Sequence, residues 1–194
     1  MCNEHRRAVA LGEIATDFAQ LKIPLRFPEG RPNLGAEESI RITDPTVIVR
    51  AAADEPGAAE LVRRRWSWPG AHGKPVFNYR ADGREFRAGR CLIVADGFYE
   101  YTAPASGKGR KDKWLFTTAA EPWFCIAGLW RNDPQVGEAC TMLTLPPGPD
   151  IAPYHDRQAA VLARADWARW LDPEVPAAAV LKPSPAGTLN VTRV

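Results

Sequence analysis

The sequence predicts a compact α+β fold of mostly antiparallel, curled β-sheets with a few short helices. Two observations carry this. Eight short runs rich in β-branched or aromatic residues are divided by Gly, Pro, Asn and Asp turn signals, and only two segments space their apolar residues as a helix does. With 194 residues, 45% of them hydrophobic, the chain can bury a sizeable core. No repeat or linker divides it, so one domain over 1–194 is expected.

Leu11, Ile14, Ala15, Phe18 and Leu21 recur at helical spacing and stop before Pro24, which marks the first helix. Strands are predicted over 46–50, 60–68, 76–80, 91–95, 98–102, 113–118, 123–129 and 139–145. The stretch 102–111, rich in Gly, Lys and Ser, reads as the longest loop, and Pro146-Pro147-Gly148-Pro149 as a sharp turn. A second helix is predicted over 166–171, where Trp167, Trp170 and Leu171 share a face and Asp166 can cap the start. After the turn at 183–187 the chain ends in a short extended segment.

Composition excludes several classes. No apolar run approaches the ~20 residues of a membrane span, and the charged start Met1-Cys2-Asn3-Glu4-His5-Arg6-Arg7 lacks the core of a secretory signal, so a cytoplasmic location is expected. Four cysteines and three histidines are too scattered for a zinc or Cys-x-x-Cys signature, so neither metal nor cofactor nor disulfide is expected. The net charge of +2 hides an asymmetry: residues 60–113 hold 12 Lys/Arg against 6 Asp/Glu, whereas 114–194 hold 6 against 8. The basic stretch carries Trp66 and Trp68 directly after Arg63-Arg64-Arg65. Cations that track phosphates and rings that stack on bases suit single-stranded nucleic acid. A solvated strand face with core tryptophans reads equally well.

Five residues could do chemistry. Removal of Met1 would leave Cys2 with an α-amine of pKa ~7.7–8.0 beside a thiol of pKa ~8.5, a pair that can hydrolyse an acyl group or close a thiazolidine ring on an aldehyde. By position alone an ordinary second residue is much the better reading. His155, between Tyr154 and Asp156-Arg157, is an acid/base candidate or a surface loop histidine. Glu100 lies in the aromatic strand Phe98-Tyr99-Glu100-Tyr101, where apolar neighbours would raise its pKa if it points inward. Asn78 and Arg80 share one strand face and suit a sugar oxygen and a phosphate, although such pairs are common on exposed strands.

Taken in order, Met1-Cys2, Asn78-Tyr79-Arg80, Ala95-Asp96-Gly97-Phe98-Tyr99-Glu100-Tyr101, Ala127-Gly128-Leu129-Trp130 and His155-Asp156-Arg157 resemble the SRAP (SOS response-associated peptidase) family from Cys2 to about Asn190. The resemblance implies an SRAP fold and a sensor of abasic sites in single-stranded DNA. In it Cys2 forms the thiazolidine crosslink, Asn78 orients the amine and sugar, Glu100 and His155 assist ring opening, and Arg80, Arg157 and Thr144 contact the DNA backbone. It also leaves a thiol autopeptidase, or a binding module without chemistry, as alternatives. The chain departs from the family's pattern at Asn3-Glu4 in place of Gly-Arg and at Tyr79 in place of Ala. It also has Tyr101 in place of Trp, and Trp66-Ser67-Trp68-Pro69-Gly70 where a longer Trp-rich segment is usual. Trp66, Trp68 and Tyr101 are the rings this reading offers to DNA.

Overall fold

The structure is a computed structural model that describes residues 2–104 and 107–194; Met1, and Ala105 and Ser106 of the loop expected over 102–111, lie outside the described residues. The chain opens with strand β1 (Glu4–Arg7), helix α1 (Leu11–Gln20) and strands β2 (Leu25–Arg26), β3 (Glu37–Arg41), β4 (Pro45–Ala51) and β5 (Ala59–Trp66). Next come β6 (Trp68–Pro69), β7 (Pro75–Val76), β8 (Asn78–Arg80), β9 (Arg90–Ala95), β10 (Gly97–Thr102) and β11 (Asp112–Thr118). The chain closes with β12 (Phe124–Asp133), β13 (Gly137–Leu145), β14 (Gln158–Ala159), β15 (Val161–Leu162), α2 (Trp167–Leu171), α3 (Ala177–Val180) and β16 (Leu189–Arg193).

Strands β13, β12, β9, β4 and β5 pair antiparallel in that order, and the ring closes because β5 also pairs parallel with β13, Trp66 opposite Cys140. The period-2 alternation of their side chains divides the core in two. Val47, Val49, Leu61, Leu92, Val94, Cys125, Ala127 and Leu143 face one side, where Ile14 and Phe18 of α1 and Trp167 and Trp170 of α2 cover them. Ile48, Val62, Cys91, Ile93, Ile126, Cys140 and Met142 face the other, together with Phe98 and Phe116 of a second sheet ordered β16-β11-β10-β1-β3. Burying each such side chain is worth about 1.5–3 kcal/mol. The two-sided burial explains why these strands read as unbroken apolar runs rather than as clean alternation.

Helix α1 starts where the sequence places it, and the Glu13 carboxylate accepts the Ala10 N–H at 3.1 Å. Asp166 makes no cap bond: its carboxylate pairs with Arg169, and a 3₁₀ turn precedes α2. The strand expected over 60–68 breaks at Ser67, whose φ of 102° is incompatible with a strand, so Trp68-Pro69 turns away to pair with β7. Strands β1 and β3, with sequences EHRR and EESIR, escaped the sequence reading because they are charged. β1 is buried through specific partners, whereas β3 buries only Ile40. Arg7, 1% exposed, donates to the carbonyls of Val9 and Gly35 and pairs with Glu37 at 2.6 Å. His5, fully buried, holds the Thr46 hydroxyl at 2.9 Å and meets Trp66 edge-on.

Candidate active site

The register of β1 on β10 builds the site. His5 lies opposite Phe98 and Arg6 opposite Gly97, so the antiparallel run carries Cys2 back to Glu100. Gly97 permits this approach: a Cβ there would stand 2.8 Å from Leu115 Cδ1 and 3.0 Å from Arg6 Nε. The backbone N–H of Cys2 donates to the Glu100 carboxylate. On the other side of the same residue, Asn78 Nδ2 donates to the Cys2 carbonyl oxygen at 2.6 Å. Asn78 gets there because β8 runs parallel to β13, with Asn78 opposite Met142 and Arg80 opposite Thr144. Cys2 and Glu100 are each 1% exposed.

Burial sets the protonation states. It pushes the Glu100 carboxyl up to about 6, with the Asp156 charge acting in the same direction and the Cys2 N–H bond opposing it. Burial, aided by Glu100, drives the Cys2 thiol far above its ordinary range, so the sulfur is held as a neutral S–H, aimed at the Glu4 carbonyl 3.4 Å away.

His155 ends a turned segment in which the Gly148 carbonyl accepts the N–H of Ile151 and Ala152, and the Ile151 carbonyl that of His155. Its neighbour Tyr154 anchors the segment over the second sheet, with its ring 4.8 Å from Trp114, the residue opposite Glu100 in β11. His155 Nδ1 lies 3.0 Å from the Arg157 N–H and 2.8 Å from Asp156 Oδ1. One nitrogen cannot accept from the first and donate to the second at once. Neutral with Nδ1 bare, the ring takes the amide; with a proton on Nδ1 it takes the carboxylate. Burial lowers its pKa below the usual histidine value, so the ring is neutral at pH 7. Cys2 thus touches both Asn78 and Glu100, and the His155 segment lies beside them.

The other expected site residues fall differently. Arg80 is exposed, shares its strand face with Asn78, and has no ion pair among the described residues. Arg157 and Thr144 are buried and spent on each other: the guanidinium donates to the Thr144 carbonyl at 2.8 Å and hydroxyl at 3.3 Å, and pairs with Asp82 at 2.7 Å. Trp66 is fully buried, its Nε1 donating to the Phe77 carbonyl, and Trp68 is 7% exposed beneath Arg131. Neither offers an open ring face. Of the arginines before Trp66, Arg63 pairs with Glu37, and Arg64 with Glu29 and Glu138. Tyr101 donates its hydroxyl to Glu4, which also takes Ser39 at 2.7 Å and Lys113 at 2.8 Å. This buried carboxylate, whose carbonyl faces the Cys2 thiol, is a site residue the sequence reading missed; its i+2 spacing from Cys2 was the available signal. Among the described residues no cluster of His, Cys, Asp and Glu could hold a metal ion, and no helix is long and apolar enough to cross a membrane.

The family model "SOS response associated peptidase (SRAP)" matches residues 1–194. A protein of Bacteroides thetaiotaomicron has a similar crystal structure, with a TM-score of 0.76 at 16% identity, covering 100% of this chain and 92% of its own. A phage-related protein of Bordetella bronchiseptica gives 0.76 at 21% identity, covering 100% and 94%. A second protein of that organism gives 0.72 at 23% identity, covering 100% and 99%. At these identities the likeness is one of fold. No curated protein matches the sequence.

Proposed function

Because the chain belongs to the SOS response associated peptidase family, which ties it to the response to DNA damage, we propose that it captures abasic sites in single-stranded DNA as a covalent crosslink on Cys2. Removal of Met1 frees the Cys2 nitrogen. The observation that supports the reading is that this nitrogen already faces a buried carboxylate of raised pKa, while Asn78 fixes the carbonyl of the same residue.

The chemistry balances with the release of one water. With Nδ1–H turned to Asp156, His155 offers Nε2 as the base for the C1′ hydroxyl of the abasic sugar. The C1′–O4′ bond breaks, and the proton passes to O4′. The Cys2 amine adds to the aldehyde carbon. Glu100, largely ionised at pH 7, relays the two protons of that nitrogen in turn to the former carbonyl oxygen, making first a hydroxyl and then the departing water, and leaves an imine. The neutral thiol then adds to the imine carbon while its proton moves to nitrogen, closing the thiazolidine. Arg80 supplies a phosphate contact beside the sugar.

The test is a denaturing gel of the protein with an oligonucleotide carrying one abasic site. A heat-stable shift is expected with the wild type, a borohydride-dependent one with Cys2→Ser, and none after acetylation of the N-terminus. A stable adduct formed by Cys2→Ser at the wild-type rate overturns the assignment.

A further inference from the structure

Outside the site, one group of arginines without ion pairs among the described residues stands together. The loop after β8 presents Arg84 and Arg87, exposed and without an ion pair among the described residues, next to Arg80 at the end of the strand. The acids of the same loop are occupied: Asp82 pairs with Arg157, and Glu85 accepts the Ala177 N–H and lies 4.0 Å from Arg90. Behind these cations an open cleft of about 460 Å³ is lined by Trp68, Tyr79, Arg84, Phe86, Trp130 and Arg131. In two cases a guanidinium of the cleft lies over one of its rings: Arg131 is 4.4 Å from the Trp68 centroid and Arg84 5.1 Å from that of Tyr79, whose hydroxyl accepts from Arg84 at 3.1 Å. A guanidinium plane stacked on a ring offers its outer face to a nucleobase.

Tyr79 lies between Asn78 and Arg80, so its ring points to the opposite face of β8. The one strand described as pairing with β8 is β13. A nucleic-acid strand leaving Cys2 past Arg80 therefore crosses the other edge of β8 and meets the cleft on its far side. We infer that this cleft is a second single-stranded DNA subsite, in which a nucleotide flanking the lesion stacks its base on the Tyr79–Arg84 pair while its phosphates lie along Arg80, Arg84 and Arg87. The inference rests on the proposed function for the position of the lesion.

The double variant Tyr79→Ala/Arg84→Ala separates the subsite from the chemistry. By fluorescence anisotropy its affinity for a long, undamaged oligothymidylate is expected to fall about 10-fold or more, with the log–log salt slope flattened by ~0.7 for one lost phosphate contact. A trinucleotide with a central abasic sugar, too short to reach around β8, should be crosslinked at the wild-type rate. Unchanged affinity for the long strand overturns the subsite, as does an equal loss of trinucleotide capture, which would mean that the pair merely shapes β8. A wild-type protein that does not crosslink the abasic trinucleotide, with the affinity loss for the long strand still present, overturns the capture reaction and leaves the cleft standing as a DNA-binding surface.

Discussion

Glu100 is useful because it is badly placed for a charge. A carboxyl with its ordinary pKa of 4.5 would be almost wholly ionised at neutral pH and could return few protons; raised to about 6 by burial, it is present in both forms. Glu100→Gln keeps an oxygen to accept the Cys2 N–H but cannot move a proton. Capture under single-turnover conditions should therefore slow by ~10²-fold or more at pH 7, and the acidic limb of the rate profile, with its midpoint near 6, should vanish. A limb that survives in the variant would assign it to another group. Cys2, Asn78, Glu100 and His155 were singled out in the sequence by an order that resembles the family's motifs. The fate of Trp66, Arg63 and Arg64 was not legible there. A basic-aromatic run looks the same whether it faces DNA or is neutralised by Glu29, Glu37 and Glu138, which arrive from distant strands.

Elements place these residues, and the segment that carries His155 depends on a glycine. A Cβ on Gly148 would stand 2.1 Å from the Ser184 carbonyl oxygen, a backbone atom that cannot step aside cheaply. Gly148→Ala should push away the turn whose carbonyl holds Ile151 and Ala152, and with it His155. The expected result is a capture rate lowered about as much as by His155→Ala, with no further loss in the double variant, because both changes remove one function. Additive losses would show that the glycine acts by another route. Most strands were readable from β-branched and aromatic runs, since two-sided burial demands them. β1, which matters most here, was not: Glu4, His5 and Arg7 are charged or titratable. Their burial rests on Lys113, Thr46 and Glu37, partners 109, 41 and 30 residues away. Pattern reading has no access to such pairings, and the polar start of the chain therefore gave no strand signal, although it forms an inner strand of the second sheet.

At the scale of the whole molecule, the site leaves a mark on stability. Two buried groups titrate in opposition. Burial holds His5 neutral, its pKa lowered from 6.5 to about 3, so below 6.5 the unfolded chain binds a proton that the folded one refuses. Stability from this group is present above 6.5 and lost as pH falls towards 3. Glu100 acts the other way: between 4.5 and 6 the folded chain binds a proton that the unfolded one has released, so its stability is present below 4.5 and lost as pH rises through 6. Between 4.5 and 6 the two proton counts cancel. Glu4, Glu29 and Glu138, all held below their ordinary values, lose their contribution chiefly below that window. Glu100→Gln removes one side of the balance. At about 1.4 kcal/mol per pKa unit, the variant should be more stable than the wild type by about 2 kcal/mol at pH 7. That advantage should shrink steadily from pH 6 and be gone by 4.5. Urea unfolding midpoints of the two proteins at steps across this range measure the difference directly, and curves that run parallel from 4.5 to 6 would show that the carboxyl is solvated. Together with the rate profile, this makes one carboxyl answer for both a slower reaction and a firmer fold, as expected of a group kept in an unfavourable place for its chemistry.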